Sequence, residues 1–369
     1  MQQTSLFDFI PDGDKYKPKK STDWKWSFKD YPKEKNGLKV FSCFACGGGS
    51  TMGYKLAGCD VIGCCEIDPR MNDIYIKNHH PKYNFLMDIR DFNKIPNEDL
   101  PEELLNLDIL DGSPPCTTFS SAGDREKNWG KKKKFREGQA EQTLDDLSFV
   151  FIETGAKLRP KVMIIENVEG LIQGEAWHYV QRIYKELKEI GYKVQHWLLK
   201  GETMGVPQTR HRVFFIAVRN DITFDFYNLD MHFNYEPVTY KEIKSGEELP
   251  LGENTEYRKC TIASLPKDKN IGDVNSRLYN KVSGFNTYFV DDDSVIPTLR
   301  CKADLIDRKR VAFLSKETFV HAQTFPEDYD FCINSRANIA YICGMSVPPI
   351  MIKRIVTRLI ESGVFEESL

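Results

Sequence analysis

From Leu38 onward, short apolar runs alternate with amphipathic stretches. The runs at 40–44, 61–65, 83–87, 107–110, 162–165, 193–199 and 213–218 are too short for core helices. Most are too continuously apolar for strands with one wet face, so they predict strands buried on both sides. The gaps carry helical spacing. Leu144, Leu147, Phe151 and Leu158 form one apolar stripe, which Pro160 ends. Buried strands separated by helices predict an α/β fold: a mostly parallel sheet with helices on both faces.

The pattern divides the chain. Residues 1–36 are Lys-rich and aperiodic and read as an arm, flexible or draped on the surface. Its aromatic residues, Trp24, Trp26, Phe28 and Tyr31, are expected to pack against the α/β domain, which spans 37–243. At 244–324 the strand–helix rhythm is absent, and short segments with mixed charge predict a second, smaller, irregular domain. Residues 325–369 return to helix. Ile350, Met351, Ile355, Val356 and Leu359 share one face of a helix at 347–361, which is expected to dock on the α/β domain.

Composition narrows the class. The chain has 369 residues, 41% of them hydrophobic, and a net charge of −3. No apolar run approaches the roughly 18 residues of a membrane span, so no membrane partner is expected. The first residues lack the basic and apolar regions of a secretory signal. Ten cysteines without regular spacing point to a reducing, cytoplasmic setting. Charge is local: residues 121–140 hold seven Lys/Arg against three Asp/Glu. With Gly123, Gly130 and Gly138 among them, 121–139 reads as a mobile loop whose lysines meet phosphates.

In open parallel sheets, ligands bind beyond the carboxyl ends of the strands. Acids and a thiol recur at those ends: Glu66, Asp88, Asp111, Cys116 and Glu166. The first strand runs into Phe44-Ala45-Cys46-Gly47-Gly48-Gly49, a turn that lets backbone approach a ligand. The loop lacks the phosphate-cradling consensus and the clean dinucleotide spacing. A nucleoside without a pyrophosphate fits better, with Glu66 accepting ribose hydroxyls and Asp88 an adenine amino group. Cys43-x-x-Cys46 lies partly in a strand without a second pair, so no metal is expected.

These residues carry a resemblance. Phe44-Ala45 with Gly48-Gly49, Pro115-Cys116-Thr117-Thr118-Phe119-Ser120, Glu166-Asn167-Val168, Gln208-Thr209-Arg210-His211-Arg212, Gln323-Thr324-Phe325-Pro326 and Gly344-Met345-Ser346-Val347-Pro348-Pro349 follow the order and spacing of the C5-cytosine DNA methyltransferases. The chain resembles that family from about Leu38 to its end. It departs at Cys46, where a glycine is usual, and at Met345, where an asparagine is usual.

The resemblance implies a Rossmann-like methyltransferase domain with a target-recognition domain, S-adenosyl-L-methionine as cofactor, and double-stranded DNA as substrate. It implies Cys116 as the nucleophile, Glu166 as the residue that holds the base, and Arg210 and Arg212 as further catalytic residues. Arg210 and Arg212, two apart, are expected on one face of a strand. Phe44, Ala45, Gly48, Gly49, Glu66, Ile67, Asp88, Asp111 and Ser346 are the expected cofactor contacts. A tRNA methyltransferase is one alternative, but the Cys-Phe-Thr signature of that branch is missing. A catalytically idle DNA-binding homologue and a nucleotide-dependent oxidoreductase are others. Gln3-Thr4-Ser5-Leu6-Phe7 resembles a sliding-clamp-binding peptide and implies that partner for an otherwise monomeric chain.

Overall fold

The computed structural model describes residues 17–115 and 147–366. Cys116, the basic stretch 121–139, Leu144 and the Gln3-Thr4-Ser5-Leu6-Phe7 peptide lie outside the described residues.

The α/β part runs β1 (Lys39–Cys43), α1 (Gly49–Leu56), β2 (Asp60–Glu66), α2 (Pro69–His79), β3 (Tyr83–Leu86), α3 (Ile89–Lys94), β4 (Ile109–Gly112), α4 (Leu147–Leu158), β5 (Val162–Val168), α5 (Trp177–Glu189), β6 (Tyr192–Lys200), β7 (Gln208–Thr209) and β8 (His211–Arg219). Among the described residues the main sheet has the order β3-β2-β1-β4-β5-β8-β6. Strand β8 is antiparallel to both its neighbours, and the remaining pairs are parallel.

Both faces are covered, as the continuous apolar runs require. Val162 and Ile164 join one core with Met52 and Ile352, while Met163 and Ile165 join another with Phe92, Phe151 and Leu187. Each such side chain stabilises the fold by roughly 1.5–3 kcal/mol relative to exposure. Helix α2 starts where Asp68 accepts the Arg70 and Met71 N–H groups and Pro69 occupies the first turn.

Strand β4 begins two residues later than its apolar run. The Asp108 carboxylate turns aside to accept the Lys39 N–H at 2.8 Å and to pair with Lys161 at 2.8 Å. Asp111 therefore lies inside β4 rather than beyond its end, and is 2% exposed.

The following region has more regular structure than its sequence suggests: α6 (Tyr240–Ile243), β9 (Leu249–Pro250), α7 (Glu256–Ile262), α8 (Ile271–Tyr279), β10 (Tyr288–Val290), β11 (Ile296–Pro297), β12 (Leu305–Asp307) and β13 (Ala312–Phe313). The order β10-β12-β13-β9 makes a small sheet over a separate core of Leu251, Cys260, Ile271, Val274, Phe289 and Ile306. Strands of two or three residues show no readable alternation, which is why they escape a periodicity search.

The chain then returns through α9 (Lys316–Ala322), α10 (Arg336–Met345) and α11 (Pro349–Glu361). Gly53 lets α11 lie against α1, since a Cβ there would sit 2.5 Å from Ile352. The stretch Arg336–Glu361 has the length and composition of a membrane span, but 72% of its apolar window is buried inside the fold. The arm also packs: Trp26 is 7% exposed and donates its indole N–H to Thr324 O at 2.8 Å.

Candidate active site

The turn after β1 is tightly wound. Phe44, Cys46 and Gly48 have φ of 56°, 47° and 79°, all left-handed. For a residue with a Cβ this costs about 1–2 kcal/mol, a strain that Phe44 and Cys46 both carry. Glu66, at the end of β2, holds the turn. Its Oε2 accepts the Cys46 N–H and its Oε1 the Asp68 N–H, each at 2.8 Å. Burial raises the Glu66 pKa, opposed by those N–H donors. Each oxygen keeps a lone pair for a further donor.

A cavity opens beside the turn. It is lined by Phe44, Ala45, Cys46 and Gly49 of the turn, Glu66 and Ile67 at the end of β2, Ser113 and Pro115 after β4, and Met345 and Ser346 from the C-terminal part. A Cβ on Gly49 would lie 2.2 Å from Val347 O, so the walls approach closely there. Ser50, Met71, Tyr341 and Val347 also line the cavity and were not anticipated. Both Tyr341 and Val347 arrive from the far end of the chain; Val347 falls within the 344–349 block, while nothing in the local sequence marks Tyr341.

Other expected contacts stand apart. Asp88 caps α3 through the Arg90 N–H at 2.8 Å and pairs with the Arg90 guanidinium at 3.3 Å. Asp111 accepts the Ser42 hydroxyl at 2.8 Å and the Tyr54 hydroxyl at 3.0 Å, and burial pushes its pKa up to about 7. Neither residue lines the cavity. Gly48 sits behind the turn, against His79.

On the β5 side, Gly112 pairs with Ile165, so Glu166 follows in the strand beside the segment that carries Ser113, without itself lining the cavity. Glu166 is 8% exposed, and its Oε1 meets Arg212 Nε at 2.8 Å. Asn167 donates to Pro114 O at 3.4 Å, joining this strand to the segment that leads to Cys116. The two arginines do not share a task. Arg210 precedes β8, is 3% exposed, and donates to Leu299 O and Gly344 O, each at 3.2 Å. Burial and the nearby Arg212 pull its pKa down. Gln208 extends this frame by donating to Ala322 O and Gln323 Oε1 and accepting from Leu299 N–H, while Gln323 donates to Ser346 O. His211 lies between Glu169 (3.2 Å) and Glu202 (2.9 Å).

A sheet with one reversed strand, a strained glycine turn after β1 and an acid closing β2 define a Rossmann-like α/β fold with a nucleoside-type turn. Within that class, residues 38–361 match the model for C-5 cytosine-specific DNA methylase, and the chain belongs to that family. It is 33% identical over 208 residues to the type II methyltransferase M.FnuDI of Fusobacterium nucleatum, covering 56% of this chain and 53% of that one. It is 31% identical over 199 residues to the type II methyltransferase M.NgoPII of Neisseria gonorrhoeae, covering 53% and 52%. The chain thus spans about half the length of these two curated relatives. A solved structure of Spodoptera frugiperda DNMT2 shares the fold, with a TM-score of 0.62 at 16% identity over 88% of this chain and 100% of that one.

Proposed function

We propose that the chain is a DNA (cytosine-5-)-methyltransferase that modifies a flipped-out cytosine in duplex DNA. The observation that carries this reading is the largely buried Glu166–Arg212 pair, on the strand beside the one that runs into Ser113 and Pro115 of the glycine-turn cavity. The cavity residues fit S-adenosyl-L-methionine. Glu66 is suited to the ribose, Ile67 and Phe44 to the adenine, and Ser346 with the 44–49 turn to the remaining end. When bound, that cofactor supplies an electrophilic methyl group.

The protein's own part is to make the cytosine a nucleophile. The Cys116 thiolate adds to C6, and the displaced electron pair gives C5 enamine character. After C5 is alkylated, a base or water removes its proton and the S–C6 bond breaks, returning the thiolate. Glu166 engages N3 and the exocyclic amine, and Arg212 holds that carboxylate in place. Arg210 serves at one remove, fixing the Leu299 and Gly344 carbonyls. The base must leave the stack, at a cost of a few kcal/mol. The 121–139 lysines and the small domain are assigned to DNA contacts, and the type II names of the relatives favour DNA over tRNA.

Transfer of labelled methyl from S-adenosyl-L-methionine to duplex DNA, with tRNA alongside, tests the reading. Cys116→Ser should abolish transfer and adduct formation with a 5-fluorocytosine duplex. Retained transfer in that variant would remove the mechanism.

A further inference from the structure

The turn at 44–48 holds two non-glycine residues in left-handed conformations. Such backbone persists only where its surroundings over-determine it. Glu66 holds the cavity side of the turn, while the opposite side is held at the Gly47 carbonyl. That oxygen accepts the Tyr329 hydroxyl at 2.6 Å and faces His79 Nε2 at 3.2 Å. His79 is 5% exposed, and burial pushes its imidazole down to about 3, so the ring is neutral. Its Nδ1 has no hydrogen-bond partner among the described residues, which puts the ring proton on Nε2 as a donor to Gly47.

Both donors stand in an aromatic box closed from outside by the arm. The Phe28 ring lies 6.3 Å from each of His79 and Tyr329, and Tyr75 lies 4.7 Å from His79. The arm is tied to the segment that carries Tyr329. Trp26 donates to Thr324 O and accepts from Glu327 N–H at 2.9 Å, and the Phe28 N–H reaches the Asp328 carboxylate at 3.0 Å. The family match starts at residue 38, so Phe28 and Trp26 lie outside it.

We propose that Tyr329 and His79 are positioning residues for the cofactor turn, and that Phe28 of the arm holds them against Gly47. The inference rests on reading the cavity as the S-adenosyl-L-methionine site. It makes residues before the family domain part of the cofactor machinery.

The test is calorimetric binding of S-adenosyl-L-methionine to the full chain. Tyr329→Phe removes one oxygen and keeps the ring, and should raise the cofactor Kd about five- to tenfold. Duplex affinity should stay within twofold and the thermal midpoint should hold. His79→Gln, which retains an N–H donor, should bind more tightly than His79→Leu, and Phe28→Ala should weaken cofactor binding less than Tyr329→Phe does. If the unsubstituted chain binds no cofactor, the cavity reading itself fails. If it binds, and Tyr329→Phe and His79→Leu both stay within twofold or lose only thermal midpoint, the positioning role alone is overturned.

Discussion

At one end of the proposed site, the glycine turn, the wall is backbone, held by neutral hydrogen bonds and by Glu66. At the other, the proposed base end, stands a charged pair on β5 and β8, Glu166 with Arg212, both largely withdrawn from water. The first arrangement spreads its energy over many weak contacts, so losing one degrades the turn by degrees. The second concentrates it: removing either charge leaves the other buried and unpaired, which costs far more than a neutral hydrogen bond. Defects at the two ends should therefore differ in kind, one appearing in cofactor affinity and the other in the rate of transfer.

The largest effect expected is at the base end. Glu166→Gln should lower methyl transfer about 10²–10⁴-fold, the usual range for a positioned acid–base group, with the cofactor Kd unchanged. A cofactor Kd that moved together with the rate would dissolve the division between the two ends. Next comes Gly48→Ala. Its φ of 79° and a Cβ only 2.1 Å from His79 Nε2 both oppose the substitution. Strain of about 1–3 kcal/mol should raise the cofactor Kd about ten- to hundredfold. Duplex binding should persist, and its loss would show that the turn also shapes the DNA side.

The smallest expected effect concerns Asp111, buried inside β4. Its folded pKa, about 7, is above the ordinary 3.8, because burial outweighs the Ser42 and Tyr54 hydroxyls. The folded state therefore holds the proton more tightly. The stability this supplies is complete below about pH 4 and is lost as pH rises through about 7. Asp111→Asn, which has no proton to lose, should flatten that part of the thermal-midpoint profile. Identical slopes in the two proteins would show that Asp111 does not titrate with folding.

Much of the α/β part was legible because its strands are buried on both faces, and β5 and β8 leave unbroken apolar runs. Glu66 was legible because a strand end followed by an acid is a local pattern. Asp111 misled for the converse reason. Its run suggested an acid beyond the strand, but the strand begins two residues later, at Ile109, and takes Asp111 inside it. Arg210 and Arg212 looked equivalent at a spacing of two, yet Arg210 precedes β8 and bonds carbonyls from distant segments. The small domain was hidden by the brevity of its strands.

Hydrophobic spacing and motif order, both local along the chain, were enough to set the fold class, the glycine turn and the family resemblance. Only the folded chain brought Tyr329 and the arm's Phe28 to the back of the Gly47 carbonyl and Tyr341 into the lining of the cavity. These contacts join residues roughly 300 positions apart. No periodicity encodes such a distance; it is decided by which buried faces find each other when the C-terminal helices close over α1.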